Sequence, residues 1–191
     1  MTTFDLDRRS LAVLDKILAD MTTADLGRPT PCTGWTLTEL LRHQVSENHG
    51  FAIAARDGSA PNWDSAQLGN NPYGAYTTSV DAYLEAFAGN EVLERQLTIG
   101  KHGTFPGQIA LAMHLVDTIA HGWDLAKTLN VPYEPDTEAV QMALKFAQQI
   151  PTSPTDRLNQ KTFAPVVKVP KNAPELHHLL GLLGRSPTWT P

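Results

Sequence analysis

Polar side chains recur at helical spacing in the apolar segment from His114 to Ala126. Asp117 and His121 are one helical turn apart and project from one face, and His114 precedes Asp117 by one turn. A carboxylate oxygen and an imidazole nitrogen form a ligand set that zinc, iron or nickel accepts, and a third ligand from another helix would leave positions for water or substrate. The alternative is a satisfied polar pair in a helix interface.

The third ligand is expected on the helix that follows Trp35, which carries His43 and His49. His43 is the better candidate because it follows two leucines on or beside the apolar face, whereas His49 lies nearly two turns further on. Helix bundles assemble metal sites from side chains on facing helices. The alternative for His43 is a core histidine bonded to a backbone carbonyl.

Other side chains lie close to these candidates in the sequence. Asp124 is one turn beyond His121 and could orient the second ring nitrogen of that histidine, or cap a neighbouring loop. Cys32 precedes the start of a helix, where the helix dipole could activate its thiol, although a small buried side chain in a tight loop is the simpler interpretation. Trp35 and Trp123 are interpreted as core or pocket-wall aromatics.

The elements that hold these residues are predicted to be helices, because apolar side chains recur at i, i+3 and i+4. Thr36 and Glu39 form a capping-box pattern at the start of the second helix. Residues 58–71 are predicted to be a polar loop, and residues 91–103 are ambiguous. The predicted helices run from about Asp5 to Met21, from Thr36 to about Ala55, from Pro72 to about Phe87, from Pro106 to Asn130 and from about Asp136 to Ile150.

The C-terminal part differs in character. Residues 166–169 suggest a short extended segment, and Ala173 to Leu183 suggests a short amphipathic helix. We therefore predict one all-α domain over residues 1–191. It consists of a four-helix bundle over about 5–150 and an irregular tail with short extra helices, 151–191, packing on that bundle.

Composition excludes several classes of protein. The net charge of −5 and the scattered 15 Lys and Arg argue against a nucleic-acid partner. Cys32 is the single cysteine, so no internal disulfide can form. The sequence has no apolar stretch long enough for a membrane and no signal-peptide pattern, so a soluble cytoplasmic protein is expected.

Two blocks of the sequence carry a family resemblance. The string T-P-C-T-G-W-T at residues 30–36, followed by E-L-L-R-H at 39–43, resembles the first block of the DinB/YfiT-like metal-binding superfamily. It is most similar to the branch that includes the N-terminal domain of mycothiol-dependent maleylpyruvate isomerase. Residues 114–128 are similar to the second block of that family, and residues 163–170 and 182–189 resemble its ending.

The resemblance implies a four-helix core of DinB/YfiT type that binds a divalent metal, usually zinc or nickel. Transferred position by position, the ligands are His43, Asp117 and His121. Where the isomerase has glutamate, this chain has Asp117, and the shorter side chain could shift the metal preference or bring His114 into the site. The branch also implies mycothiol, a cysteine-containing sugar cofactor, as a second cofactor.

Two classes of function follow. The first is a mycothiol-dependent thiol transferase or isomerase, in which the metal activates the thiol toward a small electrophilic substrate. The second is a non-catalytic metal-binding protein that acts in stress response or as an interaction module. An open coordination position would favour the enzyme, and closure by a fourth ligand such as His114 would favour the second class. A homodimer paired through an exposed helix face is a further expectation.

Overall fold

The computed structural model describes residues 1–160 and 162–190. Within these ranges the regular secondary structure is helical apart from one hairpin, which agrees with the predicted fold class. Short 3₁₀ turns span Thr23–Asp25 and Asn90–Glu94. The regular elements are α1 (Thr3–Leu18), α2 (Leu37–Asp57), α3 (Pro72–Ala86), β1 (Gln96–Ile99), β2 (Gly103–Pro106), α4 (Gly107–Leu129), α5 (Thr137–Ala147), α6 (Pro154–Gln160) and α7 (Glu175–Leu182).

The ends of α2 and α4 follow from local sequence. Thr36 is the N-cap of α2, and the Glu39 carboxylate accepts hydrogen bonds from its backbone N–H at 2.8 Å and from its hydroxyl. Gly58 ends α2 with φ of 86°, a left-handed conformation that glycine adopts without strain. Asn130 ends α4 in the same conformation with φ of 57°. These ends agree with the predicted ones.

Helix α4 lies at the centre of the molecule. It packs against α1, α2 and α5, and α2 also packs against α3. Most of its residues are buried, because its apolar side chains surround the helix axis instead of forming one stripe. Side chains on α4 therefore reach the interior of the bundle. None of the described helices combines the length and apolar character that a membrane span requires.

The ambiguous segment 91–103 contains most of the second 3₁₀ turn, the whole of β1 and the first residue of β2. The strands pair antiparallel, with Gln96 opposite Pro106, and the side chains of Leu97 and Ile99 are buried in the core. Alternation over four residues was too short a signal to predict this hairpin.

Other predicted bounds need correction. Helix α1 ends at Leu18 and α5 at Ala147, so each ends three residues earlier than predicted, and α1 begins two residues earlier. Residues 166–169 form no strand, although the Val167 N–H donates to the Gly181 carbonyl at 2.9 Å. That segment lies against Gly181 of α7 and pairs with no strand of the described residues, so its extended course stays a prediction.

A network of buried polar side chains joins α1, α2, α3 and α4, the four helices of the bundle. His114 of α4 places Nδ1 2.7 Å from Asp7 Oδ2 of α1 and Nε2 3.0 Å from Asn48 Oδ1 of α2. The Asn48 amide donates to Ser79 Oγ of α3 at 2.9 Å, and the Tyr83 hydroxyl of α3 donates to the Asp7 carboxylate. All five side chains are buried.

The network fixes the protonation of His114. The Ser79 hydroxyl donates to the Tyr76 carbonyl at 2.7 Å, so it accepts from Asn48, whose Oδ1 then accepts from His114 Nε2. Because Nδ1 faces the Asp7 carboxylate, both ring nitrogens donate and the ring is an imidazolium. Burial alone would lower the pKa of His114, but the Asp7 carboxylate outweighs it and raises that pKa above the ordinary value.

Replacing Asp7 by asparagine should destabilise the fold by about 3 kcal/mol, because it leaves a buried imidazolium without its counter-charge. Urea unfolding followed by circular dichroism measures the difference. Asp20→Asn, at an exposed aspartate just beyond α1, is the matched control and should change the free energy of unfolding by less than about 0.5 kcal/mol. Equal stability of the two variants would contradict the role given to the ion pair.

The same pair predicts a pH dependence. Since the pKa of His114 is raised in the folded protein, the stabilisation is complete below the unfolded value of about 6.5 and is lost as the pH rises through the folded value. The difference in free energy of unfolding between the wild type and His114→Gln should therefore shrink with rising pH above that point. Titrations common to both proteins cancel in this difference, and a difference that stays constant with pH would refute the charged pair.

Candidate metal centre

The two predicted histidine ligands direct the same ring nitrogen at one carboxylate oxygen. His43 Nε2, on α2, is 3.4 Å from Asp117 Oδ1, and His121 Nε2, on α4, is 3.3 Å from that oxygen. Ligand atoms of the three residues all lie within 4.8 Å of one another. A tetrahedral zinc with bonds of about 2.05 Å separates its ligand atoms by about 3.3 Å, so this donor set fits a divalent metal.

Further side chains hold Asp117 and His121 in this orientation. The Gln44 amide donates to Asp117 Oδ2 at 2.7 Å, which leaves Oδ1 for the two histidines. His121 Nδ1 lies 2.8 Å from Asp124 Oδ2, the contact that the i, i+3 spacing suggested. When Nδ1 donates its proton to a carboxylate, Nε2 carries the lone pair that a metal requires.

His43 has a second carboxylate near its other ring nitrogen. Glu47 Oε1 is 3.8 Å from His43 Nδ1, and it accepts a hydrogen bond from Trp63 Nε1 at 2.8 Å. Burial and the neighbouring Asp117 charge raise the pKa of Glu47. The sequence analysis did not single out Glu47 or Trp63. The i, i+4 spacing from His43 could have indicated Glu47, whereas no local signal indicates Trp63.

The electrostatics of the cluster favour a cation beside Asp117. Burial would raise the pKa of Asp117, but the His121 and His43 rings hold it well below its usual range. Burial would likewise lower the pKa of His121, yet the Asp117 carboxylate raises it well above the ordinary value. In both cases the carboxylate stays charged and attracts positive charge, whether protons or a metal ion.

A second group of possible ligands shares His121 but is already filled by a cation. Cys32 Sγ lies 3.2 Å from Asp124 Oδ2 and 3.9 Å from His121 Nδ1. Arg185 Nη2 lies 2.8 Å from the same Asp124 oxygen, 3.3 Å from His121 Nδ1 and 3.7 Å from Cys32 Sγ. A guanidinium therefore occupies the space that a metal would need in this group.

The same geometry excludes a hydrolytic Cys-His-Asp triad. Such a triad uses both ring nitrogens, one for the nucleophile and one for the carboxylate. Here Cys32 and Asp124 both approach Nδ1 of His121, and Nε2 faces Asp117. We assign Cys32 to the support of Asp124, so its half-buried thiol has a partner that the sequence did not predict.

Arg185 is a further residue whose role the sequence analysis missed. Burial raises the pKa of Asp124, but Arg185 outweighs this effect and lowers it to about 2, so Asp124 remains a carboxylate. Arg185 belongs to the C-terminal tail, where no helical spacing links it to α4. Its segment, residues 182–189, had been noted only as similar to the family's ending.

His114 and His49 lie outside the cluster. Nδ1 of His114 is hydrogen-bonded to Asp7 and Nε2 to Asn48, so this side chain is not a fourth ligand.

Trp35 forms a wall of the site, with its ring 5.2 Å from that of His43 and stacked at 6.3 Å from that of His121.

The fold and the site together define a class, the helical-bundle proteins in which facing helices bring histidines and a carboxylate to one point. A family model places the chain within that class. The model of the mycothiol maleylpyruvate isomerase N-terminal domain matches residues 8–126, a range that contains all three candidate ligands. The chain belongs to this family, which confirms the resemblance seen in the sequence.

The chain is also similar to individual proteins. Uncharacterized proteins from two strains of Mycobacterium tuberculosis are each 28% identical over 172 residues, covering 89% of this chain and 90% of theirs. Two crystal structures of mycothiol-dependent maleylpyruvate isomerase, one of them of a mutant, have TM-scores of 0.60 and 0.58 at 15% and 16% identity. Each match covers 76% of this chain but 66% of the isomerase, and it shows a shared fold.

The geometry predicts which substitutions abolish metal binding. His43→Ala and His121→Ala should each lower the bound metal from about one equivalent to near zero, since each removes one of three ligands. Cys32→Ser should keep the metal, because the cysteine group is filled by Arg185. Plasma mass spectrometry of the purified proteins measures the stoichiometry, with His49→Ala as the control on the same helix. If only Cys32→Ser lost the metal, the metal would belong to the cluster of Cys32, His121 and Asp124, and the assignment made here would be wrong.

Proposed function

We propose that this protein binds a divalent metal, zinc or nickel, and acts with mycothiol as a thiol transferase or isomerase on a small electrophile. The convergence of His43 and His121 on Asp117, in a chain of the mycothiol maleylpyruvate isomerase N-terminal domain family, carries the proposal. The proposed partners are therefore a small-molecule thiol and an electrophilic substrate.

A bound divalent metal supplies positive charge that lowers the pKa of a coordinated thiol, so that thiolate forms at neutral pH. Neighbouring side chains of the protein hold the proposed ligands in position. Gln44 and Asp124 orient Asp117 and His121, and Trp35 borders the two histidine rings. These contacts preorganise the ligands, so little rearrangement is needed when a reactant enters.

The position of His114 supports an enzyme over a purely structural metal site. The network with Asp7 and Asn48 turns it away from the three ligands, and two imidazoles with one carboxylate fill only three positions of a metal that takes four or more. The further position suits the sulfur of a thiol. Among the described residues no fourth protein ligand closes the site, which is what the second candidate, metal binding without catalysis, would require.

The chemistry balances without an external oxidant or reductant. In a transfer, the thiol sulfur forms a bond to the electrophilic carbon while the leaving group departs, and the thiol proton goes to solvent. In an isomerisation, the sulfur adds to a carbon–carbon double bond, the resulting single bond rotates, and the sulfur leaves again. The thiol is then regenerated, and the product has the atoms of the substrate.

Reconstituted and metal-stripped protein should differ in the reaction of mycothiol with 1-chloro-2,4-dinitrobenzene and in the isomerisation of maleylpyruvate. Full ionisation of a thiol with a pKa of about 8.5 raises its thiolate fraction at pH 7 by about 30-fold, so loss of this effect on metal removal should cost up to about that factor. Absorbance of the aryl thioether and of the substrate gives the two rates.

His43→Ala should match the stripped protein, and His49→Ala should match the wild type. Equal rates with and without metal in both reactions would reject the thiol mechanism. A full equivalent of metal with no rate enhancement would instead favour the non-catalytic metal-binding protein.

A further inference from the structure

A cavity of about 740 Å³ lies on a different side of α2 from the metal centre. It is open to solvent and is lined by α2, by α3 and by the loop that joins them. None of His43, Asp117 and His121 is among its lining residues. Its volume is in the range of small-molecule sites, which measure about 300 to 1,000 Å³.

The wall of this cavity is polar but uncharged. Its lining includes no aspartate, glutamate, lysine or arginine, and burial together with the Arg56 charge lowers the pKa of its one imidazole, His49, which keeps that ring neutral. A bound anion would find no counter-cation here, and a bound cation no carboxylate. The uncharged polar side chains are Ser46, His49, Asn62, Ser65, Gln67, Asn70, Asn71 and Thr78.

Part of this polar wall already has partners within the protein. Ser46 Oγ accepts from the Ala66 N–H at 3.3 Å, Ser65 Oγ donates to the Asn62 carbonyl at 2.8 Å, and Asn71 caps α3 by accepting from Gly74. Four other polar side chains of the wall make no hydrogen bond to the protein within residues 1–160 and 162–190. They are His49, Gln67, Asn70 and Thr78, which together offer both donors and acceptors.

One side of the cavity is a fixed aromatic ring. Trp63 is anchored by its hydrogen bond to Glu47, and its ring packs so closely on Gly50 that a Cβ there would lie 2.6 Å from it. Val45, Ile53 and Leu68 add apolar surface. A rigid aromatic face beside uncharged amides and hydroxyls suits a molecule with C–H surfaces and many hydroxyl groups.

We propose that this cavity is a second ligand site, which binds an uncharged polyhydroxylated molecule of the size of a monosaccharide or disaccharide through Gln67, Asn70, Thr78 and Trp63. The site needs no metal, so it does not depend on the function proposed above.

Binding is tested on the full chain, both metal-stripped and reconstituted, with glucose, N-acetylglucosamine and maltose as uncharged probes. Glucosamine and glucose 6-phosphate are the charged counterparts. Isothermal titration gives the dissociation constants, and tryptophan fluorescence reports occupancy beside Trp63. We expect at least one uncharged probe to bind in both metal states, more tightly than either charged counterpart, with a fluorescence change that Trp63→Phe removes.

Two variants test the location without touching the core, because the substituted residues are exposed. The double variant Gln67→Ala, Asn70→Ala should raise the dissociation constant of the bound probe by about tenfold. Thr78→Trp should fill the cavity and abolish binding. Gln148→Ala, which removes an exposed amide on another face, is the matched control and should bind as the wild type does. Absence of binding by all three uncharged probes, preference for a charged sugar, or unchanged binding in Thr78→Trp would overturn the proposal.

Discussion

His114 and Asp7 form a charged hydrogen bond in the middle of the bundle, and the position of the candidate metal ligands depends on it. The pair belongs to a network with one or more members on each of the four bundle helices. Asn48 is adjacent to Glu47 on α2, and His114 is one turn from Asp117 on α4. The hydrogen bond between His114 and Asn48 therefore fixes the register of α2 against α4, in which His43 meets Asp117. A purely apolar interface would tolerate sliding that these directional bonds do not.

The candidate centre is built as a set of ligands with supports behind them. Asp124 stands behind His121 and Glu47 stands close to His43, and each of these carboxylates has its own donor, Arg185 or Trp63. Those two donors come from segments outside the bundle helices. The loop after α2 and the C-terminal tail thus contribute to the orientation of ligands that neither segment carries. Loss of such outer contacts typically lowers metal affinity by roughly 10- to 100-fold.

Helix α2 separates two surfaces of different chemistry. The face with His43 and Gln44 meets a buried carboxylate and has a strong preference for positive charge, whereas the face with Ser46 and His49 lines an uncharged cavity. Trp63 contacts both, since it lines the cavity and donates to Glu47. This arrangement gives a direct physical connection between the cavity and the support of His43.

The sequence by itself determined the helices and the pair on one helix, because these depend on local spacing. The capping residues of α2 and the left-handed Asn130 follow from short-range chemistry, and Asp117 and His121 share a face through the i, i+4 geometry. Helical position favoured His43 as the third candidate ligand, and the resemblance implied that His43, Asp117 and His121 form one set. Only the tertiary structure decided that His114 turns toward Asp7 and that Arg185 fills the cysteine cluster. These contacts join residues 107 and 61 positions apart, and their geometry comes from helix packing and chain return, which no local pattern encodes.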